Sequence, residues 1–104
     1  MSDFFTVITT AGSIDEANKI ATELVSRKLA ACVQSMPITS CYSWEGKINN
    51  DPEILLLIKT TSDRFTQVKE AIEGLHSYTT PEIIALPIVD GSKAYLSWIV
   101  DCVK

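Results

Sequence analysis

The sequence predicts an α+β domain, and three observations indicate it. Some stretches alternate apolar and polar residues or run apolar throughout, as strands do, whereas others repeat apolar residues at helical spacing. The two kinds follow one another as a β-α-β unit, a hairpin, an α-β unit and a terminal helix. That order is typical of a split βαβ, or ferredoxin-like, sandwich with an added C-terminal helix. With 104 residues and no linker or internal repeat, residues 1–104 are expected to form a single domain.

The N-terminal part predicts a strand followed by a helix. Residues 3–10 are rich in β-branched and aromatic side chains and end at Ala11-Gly12, which favours a strand and then a break. Ser13 and Glu16 match an S-x-x-E capping box, so a helix is expected from about residue 14 to residue 28. Its apolar stripe consists of Ile14, Ala17, Ile20, Ala21, Leu24 and Val25.

The middle of the chain predicts a hairpin. Residues 29–36 form a strand-like run that Pro37 is expected to bend or interrupt. Residues 38–48 alternate as a long strand, residues 49–52 ("NNDP") supply turn chemistry, and residues 53–60 form an apolar strand covered on both faces. The apolar face of the long strand is assigned to Ile38, Tyr42, Trp44 and Ile48.

The C-terminal part predicts a helix, a strand and a last helix. Apolar residues at helical spacing favour a helix over residues 63–75, and an apolar run favours a buried strand over residues 82–89. Ser92 is expected to cap the last helix. The side chains expected to face inward from it are Tyr95, Leu96, Ile99, Val100 and Val103.

The predicted hairpin is too long for one copy of the chain to cover. Residues 38–48 would span about 36 Å as a strand, whereas a domain of this size has a radius of gyration of about 13 Å. An overhanging two-stranded ribbon with an apolar face is marginal in water and favours association with other copies. Alternatively, the strand folds back and buries Tyr42 and Trp44 in its own core. The side chains expected at an interface are Tyr42, Trp44, Ile48 and Trp98.

Composition excludes several functions. Lys plus Arg is 9 and Asp plus Glu is 13, a formal net charge of −4, which has the wrong sign for a nucleic-acid-binding protein. No run approaches the roughly 18 apolar residues of a membrane span, and no signal-peptide pattern opens the chain, so a cytoplasmic protein without membrane partners is expected. Cys32, Cys41 and Cys102 form no C-x-x-C motif and are expected to be reduced thiols. No P-loop or G-x-S-x-G motif is present, and we predict no enzyme.

The chain resembles the CutA divalent-cation-tolerance family over essentially its whole length. The resemblance rests on "LAACVQ", "SCYSWEGKI", "LLLIKT", "YTTPEIIALPI" and "AYLSWI", which occur in this order between Leu29 and Ile99. It implies a ferredoxin-like subunit assembled into a tight homotrimer similar in architecture to the PII signalling proteins. It also implies a role in tolerance to divalent cations, with Cu(II) as the metal bound.

The resemblance further implies where a metal would bind. Copper ligands proposed for the family are a cysteine at the end of the first strand and a histidine pair before the Y-x-x-P-E segment. These positions are Thr9, Leu75 and His76 in this chain, so His76 remains as a candidate ligand, with Glu82 as an oxygen donor. From local sequence alone, His76 is better explained as a residue at a helix end.

Other side chains are candidates for a cleft between subunits. They are Cys32, Lys59, Glu82 and Tyr95. Cys32 lies in an apolar run, where a free cysteine usually packs as a small hydrophobe. Lys59 ends an apolar strand and needs a partner, for which Glu82 is the candidate, either as a structural ion pair or as the floor of a ligand cleft. The rival function is therefore an adaptor that binds a small molecule or a partner protein in these clefts.

Overall fold

The computed structural model describes residues 2–104. Strands and helices follow one another in the predicted order, but the middle of the chain contains two strands where the sequence predicted three, because no break occurs at Pro37. The elements are β1 (Phe4–Ala11), α1 (Ile14–Ser26), β2 (Cys32–Trp44), β3 (Lys47–Thr61), α2 (Phe65–Leu75), β4 (Ile83–Pro87) and α3 (Lys93–Cys102), with a short 3-10 turn at Ser62–Arg64.

The strands form one antiparallel sheet in the order β2-β3-β1-β4. With α1 linking β1 to β2 and α2 linking β3 to β4, this order is the ferredoxin-like arrangement. The predicted α+β class and split βαβ sandwich are therefore confirmed.

Helices α1 and α2 cover one face of the sheet. Val7 of β1 and Leu56 and Ile58 of β3 are fully buried there. The helical side chains buried in the same core are Ala17, Ile20, Leu24, Val68, Ala71 and Ile72. The predicted stripe of α1 is thus confirmed in its centre, whereas Ile14 and Val25 at its ends are exposed.

Helix α3 covers only one end of the opposite face. Ile99 and Val103 are buried against Ala31, with Phe4 packed at their edge. The predicted inward orientation was wrong for Tyr95 and Val100, which are exposed. The rest of this face carries exposed Met36, Ile84 and Leu86 side chains.

The hairpin turn is at Glu45-Gly46, so the predicted turn at residues 49–52 was wrong. Both turn residues have positive φ, 51° and 75°, as a two-residue type I′ turn requires, and residues 49–52 lie within β3. Ile48 therefore pairs with Ser43 and points to the face opposite Trp44 and Tyr42. The predicted apolar face that joined Ile48 to the two aromatic residues was wrong for this reason.

Pro37 does not interrupt β2, contrary to the sequence prediction. It pairs with Ile54 inside a continuous strand. β2 is an edge strand of the sheet, and an edge strand accommodates a residue that lacks an N–H group. Pro52 is accommodated in the same way, because β3 has no neighbour but β2 beyond Ile54.

The hairpin extends beyond the rest of the sheet. Pairing between β1 and β3 ends at Ala11 and Ile54, whereas β2 and β3 stay paired as far as Trp44 and Lys47. The molecule consequently measures 45 × 25 × 22 Å. The predicted overhang is confirmed, and the alternative in which Tyr42 and Trp44 fold back into the core is wrong, since both are exposed.

Candidate functional site

A cavity of about 580 Å³ lies where the base of the overhanging hairpin meets the loop after α2. The hairpin, the end of β1 and the loop leading into β4 each contribute to its wall. The lining residues are Thr10, Ser40, Cys41, Tyr42, Trp44, Glu53, Tyr78, Thr79, Thr80 and Glu82. No Lys, Arg or His is among them, so the charge of the wall comes from carboxylates.

Two tyrosines hold carboxylates in and beside this cavity. The Tyr78 hydroxyl donates to Glu53 Oε2 at 2.9 Å, and the Tyr42 hydroxyl donates to Asp51 Oδ2 at 2.5 Å. Burial and the bond to Glu53 raise the pKa of Tyr78 to about 12, and the bond to Asp51 raises the pKa of Tyr42. Both phenols therefore stay protonated and act as donors at neutral pH.

His76 is the C-terminal cap of α2, and its side chain is inaccessible to solvent. Nε2 lies 2.6 Å from the carbonyl oxygen of Thr10, and Nδ1 lies 3.1 Å from the backbone nitrogen of Tyr78. A carbonyl can only accept and a backbone N–H can only donate, so the ring carries its proton on Nε2. Both ring nitrogens are thus engaged within the chain.

Glu16 ties the same loop to the start of α1. Its Oε1 accepts from the backbone N–H of Gly12 at 3.4 Å and its Oε2 from that of Ser77 at 3.0 Å. Burial raises the pKa of Glu16, but the hydrogen bonds from Ser77 and Gly12 and the nearby His76 outweigh it, and the net pKa is lowered. Ser13 caps α1 as predicted, because the Glu16 N–H donates to its hydroxyl, but the reciprocal half of the capping box is replaced by the bond from the Gly12 N–H to the Glu16 carboxylate.

The predicted cleft residues fall into two separate groups within one chain. Cys32 pairs with Lys59 in the sheet. Tyr95 lies near Cys32, and burial together with that neighbour raises the pKa of the Tyr95 phenol. Lys59 donates to Gln34 Oε1 at 2.7 Å. Glu82 lies at the other end of the sheet, beside the cavity, about 13 Å away along the strands.

The predicted pair of Lys59 with Glu82 is therefore not formed within the described chain. Within residues 2–104, Arg27 pairs with Glu23, and the contact of 3.9 Å between His76 Nδ1 and Glu16 Oε1 becomes an ion pair only when the ring is protonated. A Lys59–Glu82 pair remains a prediction for two subunits that bring opposite ends of their sheets together.

The side chains predicted at a subunit interface are all exposed. Tyr42 and Trp44 line the cavity, Ile48 lies beside the turn, and Trp98 packs on Tyr95 with ring centroids 5.5 Å apart. Trp44 is 59% exposed and Ile48 is 72% exposed, values that single-chain packing does not explain.

Sequence reasoning missed Glu53 and Cys41 as residues of the cavity. Glu53 was assigned to the start of a strand, and Cys41 was considered only as a reduced thiol. Moving the turn to Glu45-Gly46 pairs Glu53 with Ile38 and brings its carboxylate beside Tyr78. The dipeptide Glu45-Gly46 was the signal, although the Asn-rich segment that follows it carries a more familiar turn composition.

The donor atoms present do not form a metal site in a single chain. The described residues contain no group of three or more His, Cys, Asp and Glu side chains arranged to hold a metal ion. The His76 nitrogens are both hydrogen-bonded, and Glu82 lines the cavity whereas His76 does not. A cation bound in the cavity would need donors from another subunit or from water.

The family model for the CutA1 divalent ion tolerance protein matches residues 5–102. The chain belongs to the CutA1 family. The divalent-cation tolerance protein CutA of Thermus thermophilus is 48% identical over 94 residues, which cover 89% of this chain and 91% of that protein. The CutA protein of Archaeoglobus fulgidus is 46% identical over 95 residues, 91% of this chain and 93% of that protein.

Solved structures of CutA1 relatives have the same fold. The structure from Archaeoglobus fulgidus, named as a periplasmic divalent cation tolerance protein, matches with a TM-score of 0.96 and 44% identity over 97% of this chain and 99% of that one. The Oryza sativa CutA1 structure matches with a TM-score of 0.96 and 38% identity. The match covers 99% of this chain and 95% of that one. The family is named for tolerance to divalent ions.

Within residues 2–104, no helix has both the length and the apolar character needed to cross a membrane.

Proposed function

We propose that this CutA1 chain acts as a homotrimer that binds divalent cations at its subunit boundaries, with Cu(II) bound most tightly. The observation that carries the proposal is the ribbon of residues 38–44 and 47–53, which extends past β1 with no strand beside it except its own partner. Such a ribbon is marginal in water without a cover.

The exposed surface around the ribbon favours other copies of the chain as that cover. The face of the sheet away from α1 and α2 exposes Met36, Ile84 and Leu86, each close to half accessible. The sheet also has open edges at β2 and β4. Unpaired edges and exposed apolar side chains are liabilities for a lone subunit, and a closed ring can cover both.

Cation binding at a boundary is supported by the donors in the cavity. Glu53, Glu82 and Cys41 line it, and within residues 2–104 neither carboxylate forms a salt bridge. For a given set of nitrogen, oxygen or sulfur donors, affinity generally rises along the divalent first-row metals to Cu(II), which is why copper is expected to bind best. A neighbouring subunit would complete the ligand set.

We also propose His76 as a metal ligand, which requires one of its ring nitrogens to be released from a hydrogen bond. To reach a metal, the imidazole must give up its bond to Thr10 or to the Tyr78 N–H. Metal binding through His76 should therefore change the conformation of the loop of residues 77–82.

Titration calorimetry with Cu(II) on the purified protein tests the metal assignment. We expect Glu82→Gln to weaken binding relative to the wild type, and Glu70→Gln, an exposed carboxylate on α2, to leave it unchanged. His76→Ala with unchanged affinity would remove His76 from the site. Equal affinities for wild type, Glu82→Gln and His76→Ala would contradict both assigned ligands.

A second candidate function is an adaptor that binds a small molecule. The observation that favours it is the size of the cavity, which falls within the range of about 300–1,000 Å³ typical of small-molecule sites. A rise in melting temperature with organic ligands but not with metal salts would favour this function over cation binding.

We further propose a cytoplasmic location and no catalytic activity. The cysteines are unpaired in the structure, as in proteins of a reducing compartment. Fractionation of cells that produce the tagged protein tests the location, and recovery from the periplasm would contradict it.

A further inference from the structure

The loop that joins β4 to α3 contains the pair Asp90-Gly91. Aspartate followed by glycine cyclises more readily than aspartate followed by any larger residue, because glycine has no Cβ to keep its nitrogen away from the preceding carboxyl group. Of the aspartates in the chain, Asp90 alone precedes a glycine. The pair is therefore chemically distinct from the rest of the sequence.

Both residues of the pair are exposed and lie outside regular secondary structure. β4 ends at Pro87 and α3 begins at Lys93, and neither Asp90 nor Gly91 is buried. Backbone in an exposed loop is more mobile than backbone in a helix or sheet, and water reaches it freely. Both conditions favour a reaction in which the main chain rearranges and water is released and taken up.

The loop lies at the end of the sheet opposite to the ribbon. The last residue of β4, Pro87, pairs with Phe5 near the start of β1, whereas the ribbon leaves the sheet beyond Ala11 at the end of β1. The exposure of the pair is thus separate from that of the ribbon, which other copies are expected to cover. It is measured below on the protein in its native assembly.

The fold holds the two reacting groups together. The Gly91 N–H donates to Asp90 Oδ1, with the nitrogen and the oxygen 2.8 Å apart. In the described chain this N–H donates to no backbone carbonyl, and Gly91 belongs to neither a helix nor the sheet. The nitrogen therefore lies beside the carboxyl carbon, which is one bond beyond that oxygen, and proximity of this kind favours an intramolecular reaction.

The other aspartates have arrangements that oppose cyclisation. Asp51 precedes a proline, which has no N–H. Asp15 lies in α1 and Asp101 in α3, where helical hydrogen bonds fix the main chain. The Asp63 carboxylate accepts from the Thr61 hydroxyl and is followed by an arginine. These aspartates serve as controls within the same molecule.

We propose that Asp90-Gly91 is a site of spontaneous isomerisation, at which aspartate becomes isoaspartate and the start of α3 is loosened. The Gly91 nitrogen loses its proton and bonds to Asp90 Cγ, while one carboxyl oxygen leaves as water, so that a cyclic imide forms. Water then adds to either carbonyl of the imide. Addition at Cγ restores aspartate, whereas addition at the backbone carbonyl carbon breaks its bond to nitrogen, routes the main chain through Cβ and Cγ and frees an α-carboxylate. The water released is balanced by the water added, and no oxidant, reductant or cofactor is needed.

The product alters a connection whose two ends are fixed. Before the loop, the Ile88 N–H donates to the Phe4 carbonyl at 2.9 Å. After the loop, the Ser92 hydroxyl caps α3 by accepting from the Tyr95 N–H at 3.3 Å. Isoaspartate lengthens the main chain between these ends by one carbon–carbon bond, about 1.5 Å.

The packing of Gly91 directs this change to the helix cap. A Cβ built on Gly91 would lie 3.2 Å from Leu96 Cδ2, so the loop has little room to move toward α3. Leu96 in turn packs against the buried Ile99. We therefore expect isomerisation to disturb the Ser92 cap and the first turn of α3, whereas the core beneath α1 and α2 is unaffected.

Ageing of the intact, assembled protein at near-neutral pH tests the proposal. Peptide mapping should show the peptide that contains Asp90 in two forms of equal mass and different retention, with a minor form lighter by one water. A protein isoaspartyl methyltransferase supplied with S-adenosylmethionine should label the same peptide, because it methylates the freed carboxylate. Isoaspartate that accumulates no faster at Asp90 than at Asp15 or Asp63 overturns the proposal.

Matched variants assign the reaction to the pair. Asp90→Glu keeps the negative charge but would have to close a larger, less favoured ring, so its labelling should fall to the background of the chain. Asp101→Glu makes the same change within α3 and should leave the wild-type rate unchanged. Equal labelling of wild type and Asp90→Glu would overturn the assignment.

A free peptide of residues 86–96 measures what the fold contributes. Because the folded loop is exposed and holds the Gly91 nitrogen beside the carboxyl group, the protein should isomerise within about tenfold of the rate of the peptide. Stronger protection in the protein, whether from its own packing or from a neighbouring copy, would overturn the proposal. The proposal depends on neither metal binding nor the number of subunits.

Hydrogen exchange on the separated isoaspartyl form tests the effect on α3. The amides of Tyr95 and Leu96 should exchange about fivefold faster than in the unaged protein, the factor that a typical helix cap contributes. The amide of Ile20 in α1 should not change. Exchange at Tyr95 and Leu96 that is the same in both forms would overturn the loosening of the helix.

Discussion

His76 Nε2 lies 2.6 Å from the carbonyl oxygen of Thr10, which joins the end of α2 to the end of β1. The same ring accepts from the Tyr78 N–H through Nδ1, so a single buried side chain fixes the start of the loop that walls the cavity. A residue that could be interpreted as a metal ligand from sequence is, within one subunit, a structural link.

Replacing His76 by alanine should destabilise the protein by about 2–4 kcal/mol. The change leaves the Thr10 carbonyl and the Tyr78 N–H without their partners and opens space in a packed region. Denaturant unfolding at fixed protein concentration measures the effect, with Glu73→Ala on the exposed surface of α2 as a control that stays within about 0.5 kcal/mol. A His76→Ala variant as stable as the control would contradict a structural role.

Glu16 should make the free energy of unfolding depend on pH in the acid range. Its pKa in the folded chain is below the ordinary 4.5, so its contribution is present above that value and is lost as the pH falls through the folded pKa. The stability gap between wild type and Glu16→Gln should therefore be widest at neutral pH and should narrow below pH 4.5. A gap that stays constant from neutral pH into the acid range would show that the carboxylate charge plays no part.

Thr9 and Thr60 form a matched pair of buried hydroxyls with opposite expectations. The Thr9 hydroxyl has no hydrogen-bond partner in the described chain, whereas the Thr60 hydroxyl donates to the Leu29 carbonyl at 2.7 Å. Thr9→Val removes an unpaired polar group and should stabilise the protein by about 1 kcal/mol, and Thr60→Val should destabilise it by about 1–2 kcal/mol. Thermal unfolding of both variants checks the pair, and equal changes in the same direction would contradict it.

A substitution at Glu45 should stabilise the hairpin turn. This residue has a φ of 51°, a region that asparagine tolerates better than glutamate, so Glu45→Asn should stabilise the protein by about 0.5–1 kcal/mol. Gly46→Ala, at a φ of 75°, should destabilise it by about 1 kcal/mol. Unfolding curves that rank the two variants in the reverse order would argue against the type I′ turn.

Local patterns predicted the elements whose signals lie within one segment. The capping box at Ser13 and Glu16 and the stripe of Ile20 and Leu24 were enough to place α1. The turn was misplaced because "NNDP" has turn composition but lies in a paired ribbon, where cross-strand hydrogen bonds outweigh local preference. The dipeptide at the actual turn, Glu45-Gly46, is shorter than "NNDP". The positive φ angles of both residues identify it as the turn in the structure.

The site was less predictable than the fold because it depends on register. Glu53 and Tyr78 are far apart in sequence, and their contact follows from how β3 and the loop after α2 meet. Lys59 and Glu82 could be paired on chemical grounds, yet the sheet places them at opposite ends. Only the position of each residue along its strand decides such contacts.

The mass of the assembly tests the central claim that other copies cover the overhanging hairpin. Native mass spectrometry and light scattering at micromolar concentration should give three times the 11.5 kDa of one chain. Tyr42→Asp with Trp44→Asp, which places charge on the exposed ribbon, should shift the population toward smaller species. A wild-type protein that stays well behaved at 11.5 kDa would contradict the account.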